Sequence, residues 1–110
     1  MKGKALVLVA AVGLTSAGAL AAQQPADVAS LYARTCSSCH GAQGTPSPTM
    51  ARAMAGIPDF RSAAMASVAD SVLRDVITNG KGRMMASYKT RLTAEQIAAL
   101  ARYVKAFSKH

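Results

Sequence analysis

The chain is 110 residues long, carries a formal net charge of +8 and contains no tryptophan. That length allows one small domain and excludes a multidomain enzyme. The charge favours acidic partners, and nucleic acid is excluded as one because the basic residues form no dense run with interleaved aromatics.

The chain begins with MKGK, a short basic start, followed by the apolar run ALVLVAAVGL and a small-residue stretch that ends at Ala19 to Ala21. This order predicts a secretory signal over residues 1–21, cleaved after Ala21, and a folded domain over 22–110. The uncharged stretch is rich in Ala, Gly, Ser and Thr, weakly hydrophobic for a spanning helix, so a retained anchor is the second reading. Neither cysteine lies at the junction, which removes a lipid-anchored cysteine there. With Lys2 and Lys4 assigned to the leader, the domain keeps a net charge of about +6. A domain of about 90 residues often recruits a disulfide, metal or cofactor, and this one has only Phe60, Phe107 and three tyrosines as aromatics.

In the domain, ADVASLYARTC (26–36) predicts an amphipathic helix with Asp27 as N-cap and Val28, Leu31, Tyr32 and Thr35 at helical spacing. Residues 41–60 carry Gly41, Gly44, Pro46, Pro48, Gly56 and Pro58, which excludes a long regular element and predicts an ordered loop or short turns. Ser67 to Asn79 predicts a second helix with Val68, Val72, Leu73, Val76 and Ile77 on one face and Gly80 just past its end. GKGRMMASYKTR (80–91) has no period and predicts a second loop. Thr93 opens the last helix, with Gln96 completing a capping box and Ile97, Leu100, Ala101, Val104 and Phe107 as its apolar stripe. No strand pattern of useful length occurs, so the fold class is all-α, and its two long loops need something to pack around.

CSSCH, Cys36 to His40, contains both cysteines and one of the two histidines. A thioredoxin-like redox site requires strands before the motif, and none is predicted. Structural zinc requires four ligands; only Cys36, Cys39 and His40 cluster, with His110 at the far terminus, where a solvated side chain is expected. A haem anchor accounts for more. Two thiols at this spacing can add to the two vinyl groups of one macrocycle, with His40 as proximal iron ligand. Export suits such chemistry, and the flat ring would supply the volume that the side chains lack.

Beyond that motif, CSSCHGAQG, ITNGKG, MASYKTRLT and ALARYVKAF together resemble the class I family of small bacterial monohaem cytochromes c, over essentially the whole domain. The resemblance implies three to five short helices wrapped around one covalent haem c. It also implies that the first and last helices cross near Leu31, Tyr32, Leu100 and Tyr103. It further implies a methionine from the second loop as distal iron ligand. Counting from Gly82 selects Met84; counting back from Tyr88 selects Met85, which matches over more positions and is preferred. The family's proline after this ligand is absent in either register. Met50, Met54 and Met65 are read as core filler. Pro48, ahead of Pro58, is the expected backbone acceptor for the His40 N–H.

A haem with both axial positions filled by protein implies one-electron transfer, hence a monomeric periplasmic electron carrier rather than an enzyme. Its expected partners are redox proteins with an acidic docking surface, and no membrane span is expected once the signal is removed. Two alternatives stand beside it: a haem subunit of a larger redox enzyme, and a haem enzyme or gas sensor with an open distal site. A cavity lined by Cys36, Cys39, His40 and Met85 is expected of the chain without its haem.

Overall fold

The computed structural model describes residues 2–13 and 27–109. Residues 2–13 have no regular structure and are exposed, while the expected cleavage site after Ala21 and the terminal His110 lie outside the described residues. Among the described residues no helix is long and apolar enough to cross a membrane.

Among the described residues the fold has six helices and a terminal 3-10 turn. They are α1 (Val28–Thr35), α2 (Ser37–His40), α3 (Pro48–Ala53), α4 (Ala63–Ala66), α5 (Asp70–Asn79) and α6 (Ala94–Ala106), then the turn Phe107–Lys109. No strand forms among the described residues; the one extended pairing is an isolated antiparallel bridge between Lys81 and Met85. The fold is the all-α type expected from the sequence.

The helix starts follow from side-chain chemistry. Asp27 caps α1 by accepting the Ser30 N–H at 3.0 Å. Thr93 and Gln96 form the reciprocal capping box that opens α6, with bonds of 2.9 and 3.1 Å. Ser47 caps α3 and Pro48 takes its first position, where a missing N–H costs nothing.

The predicted second helix is shorter than its periodicity suggested. Its N-cap is Ala69 with Asp70 in the first turn, so Val68 lies outside it and Ser67 ends the separate α4 turn. Its inward side is Leu73, buried, with Val76 and Ile77 half-buried, whereas Val72 falls outside that side and is 51% exposed.

Helix α6 packs against both α1 and α5. The core at this junction is Leu31, Tyr32, Phe60, Met65, Leu73, Leu100, Ala101 and Val104. Tyr32 and Leu100 are its most deeply buried large side chains. Aromatic rings knit α1 to the C-terminal end, with Tyr32 centred 5.2 Å from Tyr103 and 5.4 Å from Phe107. Such pairs add about 0.5–1.5 kcal/mol beyond area burial. The expected crossing of the first and last helices is therefore present, and it leaves the other side of α1 and α2 facing the two loops.

Candidate functional site

The CSSCH segment occupies the joint between two helices. Cys36 closes α1, its N–H donating to Tyr32 O at 2.8 Å. Ser37 to His40 then wind one more turn that stops at Gly41. Gly41 has a φ of +82°, and a Cβ there would lie 1.9 Å from the Thr45 carbonyl oxygen, so only glycine allows this exit. Tyr32 secures the same point, its hydroxyl donating to Gly41 O at 2.7 Å. Burial above all, with Cys36 and Tyr103 adding to it, pushes the Tyr32 phenol above its usual range, so it remains a donor.

A cavity of about 420 Å³ opens beside this joint. Cys36, Cys39 and His40 line it from one part of the chain, Met54, Ile57 and Pro58 from the first loop, and Lys81 to Ala86 with Tyr88 from the second. The expected set of Cys36, Cys39, His40 and Met85 thus meets at one cavity, of a size suited to a bound ligand. Met84 reaches it as well. The two methionines differ in setting: Met84 is 65% exposed at the tip of its turn. Met85 is half-buried and exchanges backbone hydrogen bonds of 2.9 and 3.3 Å with Lys81. Gly80 permits that approach, because with a φ of +77° a Cβ there would meet Met85 O at 2.5 Å.

His40 is held by an unforeseen neighbour. Phe60 stacks on its ring at 4.5 Å between centroids and 19° between planes, and the Phe60 N–H donates to Gly44 O at 2.9 Å. Burial holds the His40 imidazole below its ordinary value, which favours the neutral, ligating form. Its Nδ1 is buried without a partner. Pro58 is among the residues that line the cavity, whereas Pro48, the expected acceptor, is the first residue of α3 and is not among them. Of the other methionines, Met65 is core, Met54 faces the cavity and Met50 is half-buried.

Both cysteines are free thiols, and burial, with Cys39 contributing next, pushes Cys36 up to about 11. A neutral thiol is the opposite of the activated thiolate that a redox motif needs. Among the described residues no group of three or more His, Cys, Asp or Glu side chains is placed to hold a metal ion as a cage, so the zinc reading finds no donor set among them. The residues do fit a covalently attached haem: two thiols three positions apart, an imidazole and thioethers border one cavity.

An all-α chain folded around such a cavity defines the class, a small haem-attachment domain. The family model described as cytochrome c oxidase, cbb3-type, subunit III matches residues 23–104. Among solved structures, the KustC0563 c-type cytochrome is 32% identical, with a TM-score of 0.66 over 74% of this chain and 96% of that one. A tyrosine-to-phenylalanine mutant of Kustc0563 is 30% identical, with a TM-score of 0.65 over 74% and 98%. No curated protein sequence matches. The chain belongs to the c-type cytochromes. It is a haem electron-transfer protein whose cofactor is covalently bound haem c, and CSSCH supplies the arrangement that attachment needs.

Removing only the Tyr32 hydroxyl tests the clamp on Gly41. Tyr32→Phe keeps the rings stacked but strands a part-buried carbonyl, so unfolding of the holoprotein in denaturant is expected to show a loss of about 1–2 kcal/mol. An unchanged midpoint would mean that the hydroxyl holds nothing.

Proposed function

We propose that this chain is a periplasmic one-electron carrier in which Cys36 and Cys39 form the two thioether bonds, His40 is the proximal iron ligand and Met85 the distal one. Residues 1–21 are its secretory signal, and residues 22–110 work as a monomer that exchanges electrons with partners bearing an acidic docking patch. The observation that carries this reading is the single cavity, bordered by CSSCH and by the methionine turn some 40 residues later. When bound, the haem would supply reversible one-electron chemistry, and ligands from α2 and from the methionine turn would leave no position for a substrate. The carrier is therefore not an enzyme. The open-site alternative needs a free acid–base side chain at the distal face; the loop lines the cavity with Lys81, Arg83, two thioethers and Tyr88, whose hydroxyl is engaged with Thr35 O.

Met85 is preferred over Met84 because its backbone is fixed on both sides by the Lys81 bridge, whereas Met84 occupies the exposed tip. A pre-positioned ligand loses less conformational entropy on binding. Met85→Ala is expected to abolish the thioether charge-transfer band of the ferric protein, while Met84→Ala retains it. Loss of the band only in Met84→Ala would reverse the assignment, and its presence in both would remove the turn from the iron.

A second reading has a specific observation behind it. The matching family model is described as a subunit of a cbb3-type oxidase, which favours a haem subunit of a larger redox enzyme. The native mass of the exported protein separates the two: a monomer supports the carrier, and co-purification with other redox subunits supports the alternative.

A further inference from the structure

The methionine turn departs from the pattern it resembles at one position, because Ala86 follows Met85 where a proline is expected. Proline would restrict the free chain and hold the turn open to fewer conformations. Here the two residues beyond Ala86 make the restraining contacts. Ser87 Oγ donates to Thr78 O at 2.6 Å, and the Tyr88 N–H donates to Ile77 O at 3.1 Å. The Tyr88 hydroxyl donates to Thr35 O at 3.3 Å, spanning 53 positions of sequence. Ile77 and Thr78 belong to the last turn of α5, and Thr35 ends α1 directly before Cys36. Consecutive side chains thus tie one loop to two helices. Neither is core: Ser87 is exposed and Tyr88 half-buried at the edge of the cavity.

We propose that Ser87 and Tyr88 are positioning residues, a clamp that holds the methionine turn against α5 and α1 and so does by side-chain hydrogen bonds what a proline ring would do by covalent restraint. The inference rests on the reading that this turn supplies the distal ligand. Two of these three bonds are made by side chains, and each of the two ties the turn to a different helix. Weakening them raises the fraction of molecules in which the methionine is withdrawn and a small external ligand can take its place. A residue with only a general structural role would lower global stability without changing that fraction selectively.

The test is a titration of the ferric holoprotein with imidazole, read from loss of the thioether charge-transfer band, with unfolding in denaturant measured alongside. Ser87→Ala combined with Tyr88→Phe is expected to bind imidazole about tenfold more tightly, equivalent to about 1.4 kcal/mol, with each single variant in between. Adding Ala86→Pro is expected to restore resistance; the Ala86 N–H makes no hydrogen bond among the described residues, so the ring removes none. Unchanged affinity in a folded double variant overturns the clamp, and so does a gain that Ala86→Pro leaves in place. If the band depends on Met84 instead of Met85, the ligand assignment falls while the imidazole result still judges the clamp, because both methionines precede Ser87 in the same turn.

Discussion

Protein exported with Cys36→Ser and Cys39→Ser is expected to carry no covalent haem, so that acid-acetone extraction removes whatever haem remains. Each thioether forms when a thiol S–H adds across a vinyl group, the sulfur bonding one carbon and the hydrogen the other; the serine hydroxyl does not make that bond. Either single variant should keep its haem through the remaining sulfur, and the double variant should not. The loss extends to the fold. Cys36 packs against the core that contains Leu31 and Tyr32, and the cavity of about 420 Å³ beside it has no side chain to fill it. A ligand that binds only the folded state contributes its binding energy to stability, so reduced accumulation of the double variant is the second expected effect. Haem that stays with the double variant after extraction would show that attachment does not run through these thiols.

The parts of this fold that were legible are those in which one residue decides a local outcome. Asp27 and the Thr93–Gln96 pair mark helix starts because their side chains bond N–H groups within the same turn. The start of α5 was not legible, since its N-cap is Ala69, which makes no side-chain capping bond, while Ser67 two residues earlier is a residue type that opens helices. Helix α3 hid behind its flanking prolines and glycines, although Ser47-Pro48 is the cap and first-position pair that a closer reading of the spacing finds.

At the site, Cys36, Cys39 and His40 announced themselves through spacing, while the groups that hold them did not. Phe60 reaches the His40 ring from 20 positions away, a contact that no periodicity encodes. The hydroxyls of Tyr32 and Tyr88 bond the carbonyls of Gly41 and Thr35, the two residues that flank CSSCH. A tyrosine in a sequence declares its ring but not the partner of its oxygen. The choice between Met84 and Met85 has the same character: spacing brought both to the cavity, and the Lys81 bridge and the exposure of Met84 set them apart.

Electron exchange with a partner is expected to slow as salt rises, by a factor of about 10 to 10³ between low and high ionic strength if steering dominates the encounter. Without Lys2 and Lys4 of the proposed leader, the chain's formal charge of +8 falls to +6 and is still strongly positive. Lys81, Arg83, Lys89 and Arg91 are all exposed around the methionine turn, and Lys81 and Arg83 border the cavity itself. Arg91 is partly engaged, its guanidinium 4.9 Å over the Tyr88 ring, which makes the two lysines the freer charges. Fields from such a cluster concentrate at the cavity mouth and are screened beyond about 10 Å at 0.1 M salt. Lys81→Glu with Lys89→Glu is therefore expected to slow exchange at low salt and to flatten its salt dependence, while leaving the optical spectrum unchanged because the Lys81 contribution to the bridge is made by backbone atoms. Stopped-flow rates against the physiological partner, from low to physiological salt, decide the matter. A native rate indifferent to salt, or a variant as fast as native, would leave these charges as solvating groups and place partner recognition in contacts other than the basic rim.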